Sequence, residues 1–163
     1  GAGGAARAVV FALGKELGSE ISIFNRSKQH ALKIKSNFEA ILPHCVIKVF
    51  SFQDENIQEE IDDADLLINT TPLGSWYYPS QNPLPEEIKL PSQLFVYDLV
   101  YEPHRTPLLK KAEMNGNRVI NGKEMLVYQA AESFYLWTGI RPGEEIIAEL
   151  FEEMEKQDKT LQL

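Results

Sequence analysis

Along the chain, short apolar runs alternate with stretches whose apolar positions recur every three to four residues. Residues 5–17 carry the helical spacing and meet a glycine stop at Gly18. Residues 21–24 form a short apolar run, and 28–41 a second helical stretch closed by Pro43. The alternation continues with a strand-like run at 46–50, a short helix over 56–61, and buried strands over 66–69 and 94–100. Between those last two lies an irregular stretch, 72–91, rich in proline and aromatic residues. A helix over 106–115 is closed by Gly116, and a short strand follows at 118–120. A long helix over 124–138 ends at Gly139, and an acidic amphipathic helix over 142–156 has Pro142 in its first turn. Short apolar strands separated by helices predict an α/β fold, a Rossmann-like doubly wound parallel sheet with helices on both faces. Residues 1–143 are expected as one dinucleotide-binding domain. Residues 144–163 are expected to pack an apolar side, formed by Ile146, Ile147, Leu150 and Phe151, on a further domain.

The first candidate chemistry lies at the first residue. Gly1-Ala2-Gly3-Gly4-Ala5-Ala6 runs straight into the first helix. A first glycine permits a tight strand-to-helix turn, a second lets the backbone approach a pyrophosphate, and a small third residue, Ala6, lets helix and strand pack closely. The helix then offers N–H groups and the positive end of its dipole to phosphates. Such a turn follows a central strand in a doubly wound sheet. The first strand is therefore expected to be missing from this chain, and the chain to be a piece of a longer protein.

The second signal follows the second strand. A domain that binds NAD places an Asp or Glu there for the ribose 2′-hydroxyl. Here Asn25-Arg26-Ser27-Lys28 stands instead. A guanidinium, a hydroxyl and an amide suit a 2′-phosphate that a carboxylate would repel, so the pattern favours NADP. The plainer alternative is a polar turn with Ser27 as a helix cap.

Composition sets the outer limits. At 163 residues, 44% hydrophobic and 25% charged, the chain suits one globular domain. A formal net charge of −8 argues against nucleic acid or an anionic membrane as partner. No apolar run approaches the roughly 20 residues of a membrane span. The lone cysteine, Cys45, rules out an internal disulfide and reads as a small buried residue. His30 and His44 show no metal-ligand spacing. The expected setting is cytoplasmic.

Three further segments carry a resemblance. They are Asn69-Thr70-Thr71-Pro72-Leu73-Gly74, Tyr97-Asp98-Leu99-Val100-Tyr101-Glu102-Pro103, and Asn121-Gly122-Lys123-Glu124-Met125-Leu126-Val127-Tyr128-Gln129. With the glycine turn and Asn25 to Ser27, they closely resemble the NADP-binding domain of the shikimate dehydrogenase family, from Gly1 to about Gly143. The resemblance implies NADPH-dependent reduction of 3-dehydroshikimate to shikimate, in the pathway to aromatic amino acids. It implies that Gly1, Ala2, Gly3, Gly4 and Ala5 hold the pyrophosphate, and that Asn25, Arg26 and Ser27 hold the 2′-phosphate. Lys28 joins them on charge grounds. Thr71, the Leu99 backbone, Gly122 and Met125 would lie at the nicotinamide, and Tyr101 and Gln129 would reach the substrate. The bare residues leave plainer roles open: Gln129 solvated, Tyr101 in a core or interface, Met125 as packing. Two departures stand out: Lys123-Glu124 replaces the family's Leu-Gly before Met125, and Ser75 stands where a methionine is common.

The family's acid–base pair, a lysine and an aspartate, belongs to an N-terminal substrate domain, so no catalytic residue is assigned here. Asp98 reads as a structural carboxylate at a strand end, and Lys123, His104 and Glu124 as solvated. A quinate/shikimate dehydrogenase using NAD and a non-catalytic dinucleotide-binding module are the competing readings. A homodimer stays open. The chain by itself is expected to bind NADP weakly and to show no turnover. NADPH absorbance after mixing it with shikimate and NADP checks this, and a steady rise would overturn the domain assignment.

Overall fold

Alternation in sequence becomes alternation in space. In a computed structural model, residues 1–17 and 20–161 are described, so the expected stop at Gly18 lies outside the described residues. The elements are α1 (Gly4–Leu17), β1 (Glu20–Phe24), α2 (Lys28–Phe38), β2 (Val46–Phe50), α3 (Ile57–Asp62) and β3 (Leu66–Asn69). They continue as β4 (Phe95–Asp98), α4 (Pro107–Met114), β5 (Val119–Ile120), α5 (Lys123–Thr138) and α6 (Glu144–Leu161).

Local chemistry explains the boundaries. Helix α1 buries Ala6, Val10 and Gly14, a stripe with a four-residue period. Helix α2 stops at Phe38 rather than at residue 41. The Phe38 carbonyl accepts from both Ile41 and Leu42, which turns the chain and drives Leu42 into the core. At α4, Pro107 fills the first turn and the Thr106 hydroxyl caps it by accepting from the Leu109 N–H. Gly139 closes α5 in the left-handed region, at φ 73°. Helix α6 starts at Glu144, so Pro142 precedes its first turn instead of lying in it.

Every ladder is parallel, as expected. Phe24 lies opposite Phe50 at one end of β1–β2, and Asn69 opposite Asp98 at the same end of β3–β4. The parallel sheet expected to lack its first strand is divided where that strand would lie. Two sheets form, β1–β2 and β3–β4–β5, and β1 and β3 line a cavity of about 520 Å3. The cause is physical: among the described residues no strand pairs with the facing edges of β1 and β3.

Each sheet has its own buried core. One joins Ala6, Val10, Ala31 and Ile34 of α1 and α2 to Ile23 and Ile47 of the strands. The other joins Ile57 and Ile61 of α3, Val96 of β4, and Leu108, Leu109 and Ala112 of α4. Leu84, Ile88 and Leu90, from the irregular stretch, complete the second core. Side chains of and after α4 hold that stretch in place. Lys111 donates to the carbonyls of Glu86 and Ile88, and Asn115 to that of Leu90. The buried Asn117 amide donates to the Pro91 and Leu94 carbonyls at 2.7 and 2.9 Å. At the C-terminal end, α6 packs on α5 through an edge contact between the Tyr128 and Phe151 rings. Ile146 and Leu150 remain exposed.

Replacing Asn117 by alanine takes its donor from the buried Leu94 carbonyl and leaves the half-buried Pro91 carbonyl with the Leu94 N–H alone. Urea unfolding of Asn117→Ala is expected to show a loss of about 1–3 kcal/mol. The loss should be carried by a lower midpoint at unchanged slope.

Candidate functional site

Parallel register sets the carboxyl ends of the strands side by side, and Gly1, the Asn25 turn, Thr71, and Leu99 with Gly122 lie there. Gly1 lies between the two sheets. Its nitrogen donates to the Phe24 carbonyl at 2.7 Å. A Cβ at Gly1 would fall 2.6 Å from the Thr70 Oγ1, so the close approach requires glycine. Gly3 and Gly4 are the opposite case: a Cβ on either meets nothing within 4 Å. The first turn of α1 is therefore open, carries no acidic side chain, and leads into a helix of 14 residues. An anion fits there, drawn by N–H groups and the helix dipole. Ala6 is buried against its sheet, as its small size suggested.

The turn after β1 lies at the same end. The Asn25 amide donates to the Ser27 carbonyl at 2.8 Å and stiffens the turn. Ser27 occupies the N-cap position of α2, but its hydroxyl makes no capping hydrogen bond. The cap reading thus holds in position and not in bonding. Arg26 is exposed. Lys28 has a carboxylate partner: its ammonium lies 3.0 Å from Asp54. Asp54 also accepts from the Ser51 N–H and hydroxyl, and these bonds with Lys28 hold its pKa below the usual carboxylate range. Arg26 is the cation of this turn whose charge Asp54 does not offset.

The loop after β3 is built around Asn69, which is buried. Its carbonyl oxygen accepts from the Thr71 N–H at 2.9 Å and the Thr71 hydroxyl at 2.7 Å. Its amide donates to the Leu73 carbonyl and to Asp98, the latter at 2.8 Å. Asp98 is fully buried and also accepts from the Thr106 hydroxyl at 2.6 Å and the Val100 N–H at 3.0 Å. Burial raises its pKa, and the three donors oppose that rise. Asp98 is thus the structural carboxylate that the sequence suggested. Asn69 and Thr106 are organising residues to which sequence reasoning gave no role. The signal for Asn69 was present, since an Asn two residues before a Thr-Pro pair is Asx-turn chemistry.

Leu99 and Gly122 come together as expected. Gly122 donates to the Val100 carbonyl at 3.2 Å, and a Cβ at Gly122 would collide with the Leu99 carbonyl oxygen. Met125 is half-buried in the first turn of α5. Tyr101 and Gln129 are both exposed. His104 is exposed, with its ring against the Asn121 amide. Burial, followed by the charges of Lys123 and Arg105, lowers its pKa. Among the described residues no group of three or more His, Cys, Asp or Glu could hold a metal ion, and no helix is long and apolar enough to cross a membrane.

Comparison with known proteins places this geometry. The family model for the shikimate 5′-dehydrogenase C-terminal domain matches residues 122–150, the loop of Gly122 together with α5 and the start of α6. A shikimate dehydrogenase (NADP(+)) of Moorella thermoacetica is 44% identical over 140 residues, covering 85% of this chain and 46% of that protein. The structure of shikimate 5-dehydrogenase from Listeria monocytogenes, in complex with shikimate and NAD, superposes with a TM-score of 0.81 at 32% identity. That match covers 93% of this chain and 53% of the other. The enzyme from Thermus thermophilus, in complex with NADP(H) and shikimate, gives 0.72 at 37% identity, over 92% of this chain and 51% of the other. The chain spans about half the length of the curated relatives it matches.

Gly122→Ala tests the close approach of α5 to β4. The added methyl meets backbone, which cannot rotate away. A loss of at least about 1–3 kcal/mol in urea unfolding is expected.

Proposed function

We propose that this chain, which belongs to the shikimate dehydrogenase family and corresponds to its C-terminal domain, binds NADP(H) across the carboxyl ends of its strands. Joined to a substrate domain in the cytoplasm, it serves the reduction of 3-dehydroshikimate to shikimate. One observation carries the reading: an open glycine turn at the head of α1 stands beside an Arg26–Ser27 turn that lacks the carboxylate of an NAD site. The carboxylate nearest that turn by contact, Asp54, is committed to Lys28 and Ser51.

Each residue then has a task. The N–H groups at Gly3, Gly4 and Ala5 meet the pyrophosphate, while Gly1 and Ala2 shape the turn. The Arg26 guanidinium and Ser27 hydroxyl bind the 2′-phosphate, with Asn25 fixing the turn between them. Lys28 adds less than its charge suggested, because Asp54 offsets it. The cofactor supplies the hydride. Thr71, held by Asn69, the Leu99 backbone, Gly122 and Met125 form the wall that orients the nicotinamide. Tyr101 and Gln129 present hydroxyl and amide groups towards a polyhydroxylated ring.

The substrate domain has a surface to meet. Leu136 and Trp137 of α5, and Trp76 and Tyr77 of the irregular stretch, are each at least 75% exposed. Ile146 and Leu150 of α6 add to the uncovered apolar area. Exposed aromatic groups of this size are characteristic of contact surfaces.

The Listeria complex with NAD makes the choice of cofactor the point to test. Arg26→Ala is expected to weaken binding of NADP about 10–100-fold by calorimetry, the value of one charge-assisted contact to a phosphate. Binding of NAD should change less than about twofold, since it lacks that phosphate. Equal losses for both cofactors would favour the NAD reading.

A further inference from the structure

Two loops meet beyond the carboxyl ends of β4 and β5, and one asparagine side chain spans them. Asn121 leads from β5 into α5, and His104 lies between β4 and α4. The Asn121 carbonyl oxygen accepts from the Lys123 N–H at 3.2 Å, which closes a turn around Gly122 at the head of α5. The Asn121 amide nitrogen faces two groups of His104, the ring nitrogen Nδ1 and the backbone carbonyl, the latter at 3.4 Å. Gly122 donates to the Val100 carbonyl beside them at 3.2 Å.

These neighbours fix which way the amide points. The Lys123 N–H can only donate, so it takes the Asn121 oxygen. The His104 carbonyl can only accept, so it takes the Asn121 nitrogen. An amide nitrogen turned to Nδ1 needs an acceptor there. Nδ1 accepts only in a neutral ring that carries its proton on Nε2. A proton added to Nδ1 sets donor against donor. Turning the amide over gives no escape: its nitrogen then meets the Lys123 N–H, and its oxygen meets the His104 carbonyl. The full set of bonds belongs to the neutral ring alone.

The surroundings favour that state. Burial lowers the pKa of His104, followed by the charges of Lys123 on α5 and Arg105 on its own loop. Glu113 on α4 opposes them, and it lies 3.3 Å from Arg105. The sign follows: the bonds are intact at neutral pH and are lost as pH falls through a value below the ordinary histidine range.

We infer that His104 and Asn121 form an acid-released clasp, which ties the β4–α4 loop to the head of α5 while the ring is neutral and frees the turn around Gly122 when the ring is protonated. His104 is thus a positioning residue acting through Asn121. On the cofactor reading above, Gly122 and Met125 line the nicotinamide, so acid loosens that wall. The clasp itself belongs to the chain and is tested without nucleotide.

The test is NMR of the chain from about pH 8 to about pH 5. Long-range proton–nitrogen spectra at the upper end are expected to show the His104 proton on Nε2. The Gly122 and Lys123 amide signals should move with the midpoint of the His104 ring. Protection of the Lys123 amide, corrected for the intrinsic pH dependence of exchange, should fall at least about fivefold across that midpoint. In His104→Gln a side-chain oxygen accepts from Asn121 at every pH, so both responses should vanish. Asn121→Asp keeps the acceptor for Lys123 and sets a carboxylate beside the ring, which should raise the His104 midpoint by at least about one unit. The proposal is overturned by a ring protonated on Nδ1 at about pH 8, or by amides and protection that ignore the ring's titration. An equal pH response in His104→Gln, or a midpoint unmoved by Asn121→Asp, overturns it as well.

Discussion

The amide of Asn69 holds the working end of the molecule together. It is buried, and its full hydrogen-bonding capacity is used: two donations, to Leu73 and Asp98, and two acceptances, from the Thr71 N–H and hydroxyl. Asp98 passes the constraint on to Val100 and Thr106, and Thr106 passes it to the head of α4. Two strand ends, a loop and a helix are thus fixed relative to one another by a network with no unused partner. A half-satisfied network in the same place would cost more than an apolar one, so its completeness is what allows polar groups so deep in the fold.

The local charge of the site runs against that of the chain. The chain carries a formal net charge of −8, yet the turn beside the open glycine helix has Arg26 and Lys28 and no acid of its own. Asp54 takes up Lys28 from the next loop. In the proposed cofactor site, selectivity for an added phosphate would rest on one guanidinium and a hydroxyl rather than on a general positive field.

Most of the fold was legible because periodicity reports burial directly. The alternation of runs placed nearly every helix and strand within a few residues, and the glycine turn and the Asn25 to Ser27 turn were found from residue type alone. The misses share a cause, which is tertiary contact. Helix α2 ends early because Leu42 is drawn into the core. The irregular stretch reads as a loop, yet supplies Leu84, Ile88 and Leu90 to a core, held there by Lys111, Asn115 and Asn117 from distant positions. No local pattern reports a carbonyl bonded across more than twenty residues. Lys28 was judged by charge, and only the fold shows Asp54 beside it. The divided sheet, by contrast, accords with the first strand that the glycine turn led one to expect as missing from this chain.

Both tryptophans of the chain stand in water: Trp76 is 75% exposed and Trp137 is 83% exposed. Their fluorescence is therefore that of solvated indole even in the folded state. Denaturation of this chain moves its emission little, and backbone circular dichroism is the better optical report of folding. Any protein surface that covers α5 or the irregular stretch shifts that emission to the blue, so the two indoles act as built-in reporters of encounter and not of collapse.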